Sequence, residues 1–115
     1  MLAGLGRAAP SGVPVVDTAA FSLDGRKLGL DVLVHNAGVA FNGFDARVAR
    51  DTLAVNFFGV LHLTEALLPY LRPHARVVIV SSGVGDRKAL APALRARFAD
   101  GNLDRGQLVE LMRSF

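Results

Sequence analysis

The sequence predicts an α/β fold, part of a doubly wound parallel sheet, on three observations. The run Leu30-Asp31-Val32-Leu33-Val34-His35 is apolar and β-branched on both faces, and a small polar turn, Asn36-Ala37-Gly38, comes directly after it. A long apolar helical pattern is next, with Asn56 inside it. A second run, Val77-Val78-Ile79-Val80, then ends at Ser81-Ser82. Strands alternating with crossover helices imply parallel pairing with right-handed connections.

Residues 1–12 are rich in Gly, Ala, Pro and Ser without periodicity, and are expected to be irregular. Val13-Pro14-Val15-Val16 is a short strand closed by Asp17, with its proline at the beginning. Residues 18–29 have room for one or two helical turns, interrupted by Gly25 and Gly29. Residues 30–35 are a central strand. From about Ala46 to Leu71, apolar residues recur at three-to-four spacing, with Asp45 as the N-cap and Pro73 just beyond the end. Residues 76–81 are the next strand. Two shorter helices are expected at about 89–99 and 103–115, broken by Gly101-Asn102, with Asp104 or Asn102 as cap.

Composition narrows the function classes. The chain has 115 residues, enough for one core, and half of them are apolar. It contains no cysteine, which excludes disulfide frameworks and thiolate metal sites and fits a reducing, cytoplasmic setting. No uninterrupted apolar run approaches the roughly 18 residues that cross a bilayer, so no membrane role is expected. Charge is uneven: residues 1–71 carry five Lys/Arg against six Asp/Glu, and residues 72–115 carry eight against four. The basic residues of the last third are scattered, with almost no aromatics between them to stack bases. They read as a solvated surface, and nucleic acid is not expected as a partner.

Three positions carry candidate chemistry. An Asn after a buried strand either caps the next turn or closes over a ligand at the sheet's carboxyl edge, where Gly38 would admit close backbone approach. Asn56 interrupts an apolar helix, so its amide is either paired structurally or placed to hold water, and Gly59 allows a local kink. Ser82 either terminates a strand or presents a hydroxyl from the same edge. It lacks the G-x-S-x-G surround of a hydrolase nucleophile. Gly4-Leu5-Gly6 has neither the preceding strand nor the spacing of a phosphate loop. His35, His62 and His74 are too dispersed for a metal site, and none is expected.

From residue 30 onward the sequence resembles the short-chain dehydrogenase/reductase family. Leu30–Gly38 is similar to its N-N-A-G strand end, with His35 in place of the first Asn. Val55-Asn56-Phe57-Phe58-Gly59 resembles its catalytic-Asn helix, and Arg76–Ser82 resembles the strand that ends in its catalytic Ser. Asp17 stands in the place of the acidic residue that contacts adenine. Gly38-Val39-Ala40-Phe41 and the tail Leu108–Phe115 resemble the carbonyl-reductase subgroup, in which a helical insertion separates the catalytic Ser from the catalytic Tyr.

The resemblance implies an incomplete Rossmann-like domain over 13–115, with 86–115 similar to the insertion. It also implies NAD(P)H-dependent reduction of a small-molecule carbonyl, with NADP as cofactor and NAD as the alternative. Asn36, Ala37, Gly38 and Asp17 would contact the cofactor. Asn56 would hold a proton-relay water, Ser82 would polarise the carbonyl, and Phe41, Asn42 and Gly43 would border the substrate. The family's first strand, its T-G-x-x-x-G-x-G turn and its Y-x-x-x-K pair are not found among these residues. Tyr70 is the single tyrosine, precedes Ser82 and has His74 four residues on. Two readings remain: a truncated reductase, or a non-catalytic Rossmann-like module that binds a nucleotide or a partner chain.

Overall fold

The computed structural model describes residues 28–114, together with the backbone of four short strands before them. Those strands are β1 (Leu5–Ala8), β2 (Pro14–Val16), β3 (Ser22–Leu23) and β4 (Arg26–Lys27). β1 pairs antiparallel with β2, Leu5 opposite Val16 and Ala8 opposite Pro14. β3 pairs antiparallel with β4. Three expectations are corrected here. A strand lies within the segment read as irregular, no helix forms before residue 30 among the described residues, and the 14–16 strand joins no parallel sheet. The physical reason is local. Asp24-Gly25 is the two-residue hairpin signature, and a three-residue strand opening on a proline lacks the length and the N–H groups for a central position.

The parallel pair forms where the apolar runs predict it. β5 (Leu30–His35) lies beside β6 (Leu71–Ile79), with Val32 opposite Arg76, Leu33 opposite Val77, Val34 opposite Val78 and His35 opposite Ile79. Leu30 is opposite Leu71, so two residues of β5 span five of β6 at this end. His74, at φ 66°, takes up the excursion in the left-handed region. The helical crossover and parallel ladder make this an α/β fold of Rossmann-like class, with a two-stranded parallel sheet among the described residues.

The crossover is one 25-residue helix, Ala46–Tyr70, in four stretches. α1 (Ala46–Leu53) begins on Asp45, whose carboxylate accepts the Val48 N–H at 2.8 Å. A wider π-type turn covers Ala54–Gly59, α2 covers Val60–Leu67, and a single 3₁₀ turn, Leu68–Tyr70, ends the helix. An 18-residue stretch of it has a mean hydropathy of 1.3, so by length and composition alone the helix is long and apolar enough to cross a membrane. No uninterrupted apolar run signals this in the sequence, because an average tolerates the interspersed Asn56, His62, Thr64 and Glu65.

Two compact units divide the chain, residues 1–79 and 80–115. In the first, Leu33 of β5 and Leu67 of α2 are buried, as is His35. In the second, Ser82 opens a 3₁₀ turn at Gly83–Gly85, and Asp86 opens another at Arg87–Ala89. α3 (Pro92–Ala99) and α4 (Arg105–Arg113) come next, and Leu111 of α4 is the buried residue there. Asp104, not Asn102, caps α4. Its carboxylate accepts the Gln107 N–H while Gln107 Oε1 accepts the Asp104 N–H, a reciprocal capping box. The Arg95 guanidinium donates to the carbonyls of Arg87, Lys88 and Leu90 at 2.9–3.2 Å, tying α3 to the turn before it.

Candidate active site

In the first unit the site is built around the exit of β5. Asn36, Ala37 and Gly38 are exposed at the carboxyl end of this parallel strand, where open α/β sheets present backbone to ligands. Asn56 fixes the residue beyond them. Its Oδ1 accepts the Val39 N–H and its Nδ2 donates to the Val39 carbonyl, both at 2.8 Å. One carboxamide thus satisfies both backbone groups of one residue, as a neighbouring strand would.

From its sequence surroundings, Asn56 reads as an amide interior to its helix. The structure leaves it exposed but doubly paired, within the π-type turn that Asn56 and Gly59 mark in an otherwise apolar run. A Cβ on Gly38 would lie 3.5 Å from Asn56 Oδ1, so the clamp lies close against the turn. Farther along the chain, Phe41, Asn42 and Gly43 form an exposed loop leading to the Asp45 cap. Gly43, at φ 102°, turns the chain as only glycine does readily.

A second tie lies behind the turn. Thr64 Oγ1 donates to the Val60 carbonyl at 2.7 Å, which uses its one proton. Its 2.8 Å contact with His35 Nε2 is therefore a bond that the imidazole N–H donates, and this sets the tautomer. Burial pushes the His35 pKa below the ordinary 6.5, which favours the neutral ring. His35 thus ties the end of β5 to α2.

Ser82 belongs to the second unit. Its Oγ accepts the Val84 N–H at 3.2 Å and the residue is exposed, so the hydroxyl is oriented while its own proton stays available to an acceptor. Asp17 lies outside the described residues. No group of three or more His, Cys, Asp or Glu side chains suited to a metal ion occurs among the described residues. Sequence reasoning misses Val39 and Thr64. Val39 acts through its backbone, which leaves no side-chain signal, and Thr64 is one polar residue among several on its helix.

A family model described as short chain dehydrogenase matches residues 15–93. The chain belongs to the short-chain dehydrogenase family. Among curated relatives, "Carbonyl reductase [NADPH] 1" of Rattus norvegicus is 41% identical over 93 residues. "Carbonyl reductase [NADPH] 3" of Rattus norvegicus is 43% identical over 94 residues, and "Carbonyl reductase [NADPH] 1" of Homo sapiens is 41% identical over 93. Each match covers 76% of this chain and 34% of the relative, so the chain matches about a third of the length of these dehydrogenase-family proteins.

Proposed function

We propose that these residues form the central part of an NADPH-dependent carbonyl reductase, acting on a small-molecule carbonyl. The observation that carries the reading is the two-point clamp of Asn56 on Val39, which fixes the turn at the carboxyl end of β5 in a chain about 41% identical to carbonyl reductases. The exposed, small-residue turn suits a flat ring lying against backbone, so Asn36, Ala37 and Gly38 would hold the nicotinamide cofactor, with NAD as the alternative to NADP. Asp17 is assigned to its adenine end on family resemblance. The cofactor supplies the hydride.

The remaining roles belong to this chain's side chains. Ser82, oriented by the Val84 N–H, donates its hydroxyl proton to the substrate carbonyl oxygen. Asn56 positions the turn, and the amide hydrogen and lone pair left over by Val39 hold a relay water. Phe41, Asn42 and Gly43 border the substrate. The general acid and the lysine that tunes it have no counterpart in these 115 residues, which contain no Y-x-x-x-K. The alternative reading is a non-catalytic module that binds a nucleotide or a partner chain.

A chimera separates the two. Residues 13–115 replace the matching third of rat carbonyl reductase [NADPH] 1, and NADPH-dependent quinone reduction is measured. The reductase reading expects turnover that Ser82→Ala lowers by about 100-fold or more and Asn56→Ala also lowers. An active chimera indifferent to both substitutions overturns it. The chain alone, titrated with NADPH while nicotinamide fluorescence is followed, is expected to bind no tighter than the millimolar range, about 4 kcal/mol. Tighter, saturable binding without turnover favours the binding module.

A further inference from the structure

We propose that Thr64 is a positioning residue for the Asn36-Ala37-Gly38 turn. By accepting the His35 Nε2–H, its hydroxyl fixes the helix that carries Asn56 against the strand that carries the turn. The ligand in this inference rests on the reductase reading above, and the placement rests on the hydrogen bonds alone. The turn is held from its two ends. On one side His35 is the last residue of β5, opposite Ile79 in the ladder and 6% exposed. On the other side Val39 is clamped by Asn56. Between them, Ala37 and Gly38 make no hydrogen bond of their own among the described residues, so the ties at the ends decide where the turn stands.

Both ties come from one helix, and they differ in exposure. The Asn56 bonds are exposed, whereas the His35–Thr64 bond is part-buried, so water competes less for it. Leu33 and His35 share a face of β5, and Thr64 and Leu67, three residues apart, share a side of α2. Leu33 and Leu67 are both buried, but apolar burial has no direction and tolerates a helix sliding over a strand. A hydrogen bond does not, because it weakens steeply as its angle closes. Thr64 suits the task. Its branched Cβ restricts the side chain, and donation to the Val60 carbonyl at 2.7 Å holds that rotamer, so Oγ1 presents its lone pairs in a fixed direction. Without that acceptor the buried ring keeps an unpaired N–H. It would rotate or move its proton to Nδ1, and the helix, with the Asn56 clamp, would lose its fixed place beside β5.

Two substitutions separate the acceptor from the shape. Thr64→Val keeps the shape and removes the acceptor, and Thr64→Ser keeps the acceptor and removes a methyl. Each is made in the 115-residue chain, and NMR follows the His35 ring nitrogens and the backbone amides. The ring proton is expected on Nε2 in the parent and in Thr64→Ser, and shared with Nδ1 in Thr64→Val. Relative to the β5–β6 ladder, amide exchange at Ala37, Gly38 and Val39 should accelerate about tenfold in Thr64→Val, as for one lost hydrogen bond, and stay near the parent rate in Thr64→Ser. In the carbonyl reductase chimera, Thr64→Val should raise KM for NADPH several-fold with kcat little changed, the mark of lost cofactor binding rather than lost chemistry. A ring proton on Nδ1 in the parent chain overturns the proposal without any variant. So does a folded Thr64→Val with parent exchange at the turn, or a Thr64→Ser as fast as Thr64→Val, which would assign the effect to packing. A Ser82-dependent chimera whose KM ignores Thr64→Val overturns the positioning role alone, whereas a chimera indifferent to Ser82→Ala overturns the reductase reading and the cofactor with it.

Discussion

The Asn56 carboxamide pairs with both backbone polar groups of Val39, seventeen residues away, through two 2.8 Å hydrogen bonds. Both bonds are solvent-accessible, so their loss is moderate in energy and specific in place. Asn56→Ala should cost about 1–2 kcal/mol, by denaturant titration. Amide exchange at Val39 should accelerate more than exchange in α2.

Acid should loosen the strand-to-helix tie. Burial lowers the native pKa of His35, so between that lowered value and the ordinary 6.5 the unfolded chain binds a proton that the native chain does not. Stability is therefore full above about pH 6.5, declines as the pH falls through the window below it, and levels off once the native ring is protonated too. His35→Asn should flatten that segment of the stability–pH curve. An unchanged curve in the variant would place the titration elsewhere.

Two helix starts offer independent stability tests. Asp45→Ala removes the acceptor for the Val48 N–H, and Asp104→Ala removes half of the reciprocal box with Gln107. Each should cost about 1 kcal/mol, measured by thermal or urea unfolding.

Gly29 and Arg72 are coupled by space. The Arg72 side chain crosses Gly29 to reach Asp31, and a Cβ on Gly29 would lie 2.6 Å from Arg72 Cγ. The Arg72–Asp31 pair, at 3.2 Å, is largely exposed, so Arg72→Ala alone should change stability by only a few tenths of a kcal/mol. Gly29→Ala should destabilise the chain when Arg72 is present and much less in the Arg72→Ala background. A double-mutant cycle reads the difference.

His62 carries a buried Nδ1 with no hydrogen-bond partner, beside the Phe58 ring at 6.1 Å between centroids. Replacing it with Leu removes the orphaned polar atom and keeps an apolar volume. His62→Leu should therefore raise stability, by about 1 kcal/mol on denaturant titration.

Much of this architecture is written locally, and that part is legible in the sequence. β5, the long helix, the Asp45 cap and the β6 ladder from Arg76 onward each arise from periodicity or capping chemistry within a few residues. The first 29 residues resist such reading. Their strands are two to four residues long, too short for periodicity to register, and the Asp24-Gly25 signal competes with glycine spacing that also suits broken helix. At the site, Asn36, Asn56 and Ser82 stand out because each is polar against apolar surroundings. The partner of Asn56 is hidden from the sequence, because it is backbone. Tyr70 shows the converse, since His74 four residues on and its place before Ser82 exclude it from the family's Y-x-x-x-K pair.

The wide turn at Ala54–Gly59 acts as a phase correction. Asn56 and Thr64 both reach back to the segment at the exit of β5, one to Val39 and the other to His35. Eight steps of regular α-helix rotate a side chain about 80° beyond two full turns, which would aim the two residues at different neighbours. A turn that takes roughly one extra residue absorbs most of that overshoot and lines them up. A regular α-helix that kept eight steps between Asn56 and Thr64 would point these two anchors apart. The irregular stretch is thus what lets a single rigid rod grip one strand end at two points.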